Sequence, residues 1–196
     1  WEKKWINNIV VKKEKNISVG IIGSGPAGLA AAEQLRLKGY QITIYDRYDR
    51  PGGLLIYGIS NFKLEKEIVM RRTKRLQDSG INFKLNCEIG STISFDKINT
   101  EHDAILIATG VYKSRKNHLN KQNSSNVVPA LEFLIASNKK GLNDKVPEFD
   151  SGKLNSYNKN VAVVGGGDTA MDSVRTAIRQ GAKSVKCLYR RDQKNM

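Results

Sequence analysis

The order of apolar and polar positions along the chain predicts its elements. Ile17–Ile22 (ISVGII) is a short β-prone run of buried character. It leads into Gly23-Ser24-Gly25-Pro26-Ala27-Gly28, after which Leu29, Ala30, Ala32, Leu35 and Leu37 recur among good helix formers. Gly39 predicts the helix stop and Ile42–Tyr45 the next strand. Strand, glycine turn, helix and strand make a βαβ unit. Pro51-Gly52-Gly53 predicts a turn. Residues 64–78 carry Ile68, Val69 and Leu76 at helical spacing, closed by Gly80, and Ile81–Cys87 alternates as a strand does. Ala104–Ala108 (AILIA) is continuously apolar, which predicts a strand buried on both faces, ending at Thr109-Gly110.

The character changes over residues 113–160, which hold 9 Asn and 8 Lys around one apolar helix at about 128–136. This stretch reads as a connection between two modules. Val161–Val164 then starts a second unit: strand, Gly165-Gly166-Gly167-Asp168-Thr169-Ala170, helix, and a strand at Val185–Tyr189. Ala170, Met171, Val174, Ala177 and Ile178 form one apolar helix face, and Gly181 caps it.

The expected fold class is α/β. The first part of a Rossmann-like dinucleotide-binding domain spans 17–113, 114–160 connects, and 161–196 is the start of an inserted second Rossmann-like domain; the glycine turns below assign FAD to the first and NADPH to the second. Residues 1–16, polar and basic with two Trp, read as a connector or docking arm. The chain opens on Trp1, and a lone βαβ start cannot cover its own sheet faces, so the expectation is a piece of a longer protein.

Composition narrows the classes. At 196 residues with 39% hydrophobic and 27% charged side chains, the chain can bury a core. A net charge of +14 raises nucleic acid as a partner. The basic residues are scattered without interleaved aromatics, so neither nucleic acid nor membrane is expected as a partner. No apolar run reaches the roughly 18 residues of a spanning helix. Cys87 and Cys187 are too far apart for a zinc quartet, a CxxC pair or a cluster-binding run, which points to a reducing, cytoplasmic setting and no metal site within the chain.

The two glycine turns carry the candidate chemistry. The first has GxGxxG spacing between a strand and a helix. Gly23 makes the tight turn, Gly25 admits a pyrophosphate to the backbone, and Gly28 lets helix and strand approach. Pro26 and Ala27 open the helix, whose N-terminus supplies N–H groups and partial positive charge for a diphosphate. Asp46, 18 residues beyond Gly28 at the end of the second strand, accepts hydrogen bonds from a ribose diol and repels a 2′-phosphate. That favours FAD or NAD. The second turn reads GxGxxA at Gly165, Gly167 and Ala170. The position corresponding to Asp46 reads as Arg190, followed by Arg191, 20 residues after Ala170. Two guanidinium groups suit a 2′-phosphate through forked hydrogen bonds, hence NADPH. Two dinucleotide sites imply hydride transfer between the cofactors, a step that needs no side-chain acid or base. No catalytic residue is assigned, and His102 and His118 read as structural or exposed.

The run GIIGSGPAGLAAAEQLRLKGYQITIYDRYDRPGGLLIYGISNFKLEKEIVMRR resembles the small (beta) subunit of bacterial NADPH-dependent glutamate synthase. So do Ala108–Gly110 and GGGDTAMDSVRTAIRQGAKSVKCLYRRD at 165–192. NADPH-dependent ferredoxin reductases and dihydropyrimidine dehydrogenase share much of this. The resemblance implies FAD contacts from Gly53, Leu54, Thr109 and Gly110 as well as the first turn and Asp46. It implies an NADPH site at Gly167, Asp168, Thr169, Arg190 and Arg191. It also implies iron–sulfur clusters (4Fe–4S) upstream of residue 1 and a large (alpha) subunit as partner, where 2-oxoglutarate and glutamine-derived ammonia become glutamate. The alternatives are a ferredoxin- or pyrimidine-reducing flavoprotein and a non-catalytic nucleotide-binding scaffold. Two positions depart from the family pattern: Asp46 stands where Glu is frequent, and Ser60 where Pro is common, which predicts a looser turn.

Overall fold

The computed structural model describes residues 5–113 and 126–192. Among the described residues, six strands and seven helices follow in order: β1 (Ser18–Ile22), α1 (Pro26–Leu37), β2 (Gln41–Tyr45), α2 (Leu54–Tyr57), α3 (Lys66–Asp78), β3 (Asn82–Lys84), α4 (Phe95–Glu101), β4 (Ala104–Ile107), α5 (Ala130–Gly141), α6 (Pro147–Asp150), β5 (Asn160–Val164), α7 (Asp168–Arg179) and β6 (Ser184–Leu188). They fall into two compact units, one of residues up to Ile56 plus Glu65–Val111, the other of Tyr57–Leu64 plus Tyr112 onward. Tyr57–Leu64 leaves the first unit between α2 and α3 and groups with the second.

In the first unit, four parallel strands lie in the order β3-β2-β1-β4. Val19 and Ile21 of β1 and Ile42 and Ile44 of β2 share one face, as the two-residue strand period requires. Leu29 and Ala32 of α1 and Leu76 of α3 cover that face and close the core. Helices α1, α3 and α7 stop alike. Gly39, Gly80 and Gly181 have positive φ, and their amides return to the carbonyls of Arg36, Gln77 and Ile178. The N-terminal arm is tied to this unit: Ile9 is buried in its core, and its amide donates to Ser79 Oγ at 2.9 Å. Glu33 of α1 bridges Arg72 and Arg75 of α3 at 2.6 and 2.5 Å. Burial pulls its carboxyl up, but the two guanidinium groups hold it below its usual range.

The other sheet face carries a polar cluster. His102 lies over Gly20 and joins Ser18 to Tyr45. Tyr45 Oη donates to Glu101 Oε2 at 3.1 Å, which leaves its oxygen to accept from His102 Nε2 at 2.8 Å. Nδ1 then accepts from the Ser18 hydroxyl. Burial pulls the His102 imidazole below its usual pKa. A Cβ at Gly20 would stand 2.7 Å from His102 Cδ2. Gly20→Ala is therefore expected to displace the ring from both hydroxyls and destabilise the unit by about 1–3 kcal/mol. Urea denaturation checks this; an unchanged midpoint would show that the ring shifts at no cost.

Three sequence expectations need correction. The Ala104–Ala108 run is not buried on both faces: among the described residues β4 pairs only with β1, and Ile107 is 65% exposed. Continuous apolarity reports what a strand can bury, not what lies over it. The Ile81–Cys87 strand shrinks to Asn82–Lys84, since Asn86 turns to φ 52° and ends the ladder. Helix α4 escaped notice because FDKINTE buries only Ile98; its signal was Ser94, whose Oγ accepts from the Lys97 amide.

The second unit pairs β5 and β6 in parallel, with α7 between them in sequence. Among the described residues, Tyr57, Leu134, Ala136, Val146, Ala170 and Ala177 are its buried hydrophobic residues, and Gln180 Nε2 donates to Ser137 Oγ at 3.1 Å between α7 and α5. Tyr57–Leu64 straps α7. Lys63 pairs with Asp172 at 3.0 Å, and Phe62 lies under the guanidinium groups of Arg175 and Arg179. Ser60 does not loosen its turn. It is buried, its hydroxyl meets Thr176 Oγ1 at 3.2 Å, and its carbonyl accepts from Lys63 and Leu64.

Candidate functional site

The first glycine turn connects β1 to α1 at the carboxyl end of the sheet. Gly23 has φ 108°, and a Cβ there would fall 2.4 Å from the Ala108 carbonyl oxygen. A Cβ at Gly28 would fall 1.9 Å from the Gly23 oxygen. Both are fixed by the backbone alone. Gly25 differs: its φ is −69°, open to any residue, and a Cβ would meet nothing within 4 Å. Its freedom from a side chain keeps the helix mouth open. Gly25 is also the N-cap of α1, and no side chain caps the helix. The first-turn amides of Ala27 and Gly28 lie where an α-helix leaves N–H groups without intrahelical partners.

Three further segments converge on this turn. Asp46 follows β2, is 7% exposed, and accepts at Oδ2 from the Ser24 amide (2.7 Å) and hydroxyl, and at Oδ1 from the Tyr48 amide (2.9 Å). The Gly52 amide donates to the Ser24 carbonyl at 3.0 Å, which holds Gly53 and Leu54 beside the turn. Thr109 stands next to Gly23, and Gly110 has φ 67°. The structure thus brings together Gly23, Gly25, Pro26, Ala27, Gly28, Asp46, Gly53, Leu54, Thr109 and Gly110. Ser24, fully buried at the centre, went unnoticed in the sequence; its only signal is a hydroxyl between two glycines opposite an acid at the strand end. Lys66 adds a buried cation below the Gly52-Gly53 turn. Its ammonium donates to the Leu55 carbonyl at 3.1 Å, and burial pulls its pKa down to about 8.

The second turn repeats the backbone. The Gly165 amide donates to the Leu188 carbonyl at 3.0 Å, as Gly23 does to Tyr45 at 2.8 Å. Gly165 has φ 138°, Gly167 is the uncapped N-cap of α7, and a Cβ at Gly167 would again meet nothing within 4 Å. Ala170 takes the place of Gly28, in ordinary contact with Gly165. Asp168 and Thr169 are exposed in the first turn of α7. The register corrects one expectation. Tyr45 and Leu188 are equivalent, so the residue corresponding to Asp46 is Tyr189. Arg190 and Arg191, both exposed, lie one and two positions further. The second unit has one more residue between the turn and the strand end, so the equivalent position falls 19 residues after Ala170, one short of Arg190.

Among the described residues, no group of His, Cys, Asp and Glu could hold a metal ion, and no helix is long and apolar enough to cross a membrane. His118 lies outside the described residues. Cys87 is half-buried, with its thiol pushed up by burial, and Cys187 is exposed.

Two parallel βαβ units, each with a glycine turn opening an uncapped helix, define the Rossmann-like α/β class. The chain belongs to the pyridine nucleotide-disulphide oxidoreductase family, whose profile matches residues 17–194. It is 55% identical over all 196 residues to the glutamate synthase [NADPH] small chain of Azospirillum brasilense, and covers 41% of that protein. It is 43% identical, again over its whole length and 41% of the relative, to the glutamate synthase [NADPH] small chain of Escherichia coli (strain K12). Among solved structures, Mycobacterium tuberculosis FprA in complex with NADPH superposes with a TM-score of 0.72 at 18% identity, over 90% of this chain and 44% of that one. That likeness concerns the fold. The chain thus spans about two fifths of the curated relatives it matches.

Proposed function

We propose that the chain is the part of an NADPH-dependent flavoprotein oxidoreductase that holds the diphosphate of FAD at the first turn and that of NADPH at the second. The observation that carries this reading is the repeated open helix mouth. Gly25 and Gly167 each cap a helix with no side chain in the way, and the two strand ends beside them differ in charge. The residues fit the cofactors. At the first turn, the amides of Ala27 and Gly28 donate to a diphosphate, and Asp46 presents a carboxylate to a ribose diol. At the second, Arg190 and Arg191 would hold a 2′-phosphate, while Gly165, Gly167, Asp168, Thr169 and Ala170 shape the diphosphate seat. Bound together, the cofactors supply hydride transfer from NADPH to FAD. The chain itself supplies position, dipole and charge, and no side chain needs to move a proton.

The relatives are named glutamate synthase [NADPH] small chains, which supports a finer reading: the electrons serve glutamate formation, with a large subunit as partner. The resemblance set out from the sequence adds 2-oxoglutarate and glutamine as the substrates, and the cysteine usage a cytoplasmic setting. Iron–sulfur clusters would lie in a part of the whole protein outside this chain. The test is the visible spectrum of the whole protein before and after anaerobic NADPH. Flavin bands over a broad iron–sulfur shoulder, bleached by NADPH, are expected. Flavin bands without the shoulder would direct the electrons to a different acceptor, and a colourless protein would refute the flavoprotein reading.

A further inference from the structure

The two units differ most at the residue that follows their second strand. In the first, Asp46 reaches back to Ser24, the second residue of the glycine turn. In the second, the equivalent pair is Tyr189 and Gly166. A Cβ at Gly166 would stand 2.6–2.8 Å from three atoms of the Tyr189 ring, so the ring rests on the turn itself. Only a residue without a side chain admits it there. The ring is half-buried, and it leaves Gly167 clear, since nothing stands within 4 Å of a Cβ there. The diphosphate approach therefore stays open while an aromatic surface occupies the place where the first unit has a carboxylate.

We propose that Tyr189 is a binding and specificity residue for the adenosine half of the dinucleotide at the second turn, its ring forming the wall that Asp46 forms with a charge in the first unit. This inference rests on the reading of that turn as the NADPH site. Two consequences follow from the chemistry of the pair. The ring offers a face to a purine or ribose, which is favourable for any base. It also replaces the strand-end carboxylate that would repel a 2′-phosphate, and Arg190 and Arg191 follow one and two positions on.

The probe is 2′,5′-ADP, which carries the adenosine and the 2′-phosphate but no nicotinamide, titrated calorimetrically into the oxidised whole protein. Tyr189→Phe is expected to bind it as the parent does. Tyr189→Leu is expected to lose roughly 5- to 100-fold in affinity, the range for losing one base–aromatic stack. Gly166→Ala, which lifts the ring from below without removing it, is expected to weaken binding in the same direction. Tyr189→Asp is expected to weaken 2′,5′-ADP more than 5′-ADP, because only the former carries a phosphate on the 2′ oxygen, beside the new carboxylate. Failure of the parent to bind 2′,5′-ADP would overturn the NADPH reading and this inference with it. A parent that binds, with the Leu and Ala variants binding equally well, would overturn the inference alone.

Discussion

Replacing Gly25 by Val is expected to give a folded protein without flavin. The position has φ −69° and ψ −177°, which an L-residue adopts without strain, and a Cβ there meets nothing within 4 Å. The fold has no objection to the side chain; only a ligand at the helix mouth does. A branched side chain fills the space through which a diphosphate reaches the first-turn amides. The expected readout is a colourless protein with the circular dichroism and melting behaviour of the apoprotein. Gly28→Ala is the necessary contrast, because its Cβ would fall 1.9 Å from the Gly23 oxygen and force helix and turn apart. That variant is expected to lose stability as well as flavin. A yellow Gly25→Val protein with normal flavin content would end the assignment of FAD to the first turn.

Replacing Arg190 and Arg191 together by Ala is expected to weaken NADPH by about 1.5–3 kcal/mol for each charged hydrogen bond lost. NADH binding should barely change, since it has no 2′-phosphate for the guanidinium groups to meet. Both arginines are exposed, so their removal leaves the packing of the unit untouched. Calorimetry with both nucleotides on the whole protein separates the cases. Equal losses for NADPH and NADH would place the arginines elsewhere than on the 2′-phosphate.

Much of this was legible in the sequence, and for a physical reason. The glycine turns impose backbone requirements that few residues meet, so Gly23, Gly25, Gly28, Gly165 and Gly167 marked both turns and the strands and helices on either side. The helix stops at Gly39, Gly80 and Gly181 were legible for the same reason. What the sequence hid depends on distance along the chain. The convergence of Gly53 and Thr109 on the first turn needs the parallel crossover of β4 onto β1, and residue spacing alone does not encode it. The strap of Tyr57–Leu64 on α7 joins positions more than a hundred residues apart, as Lys63 does with Asp172. The equivalence of Asp46 and Tyr189 turned on strand register, which spacing from the glycine turn does not give.

The buried tie between Asp46 and Ser24 has a consequence for how the two halves can diverge. Asp46 is part of the framework as well as of the proposed site: it accepts three hydrogen bonds that join the strand end to the glycine turn and to the Tyr48 amide. A lineage that changed it would have to rebuild the loop in the same step. Arg190 and Arg191 follow the second strand and face solvent. At the proposed NADPH site, nucleotide choice is therefore open to change by single substitutions at the arginines, while the first turn is inherited as a block.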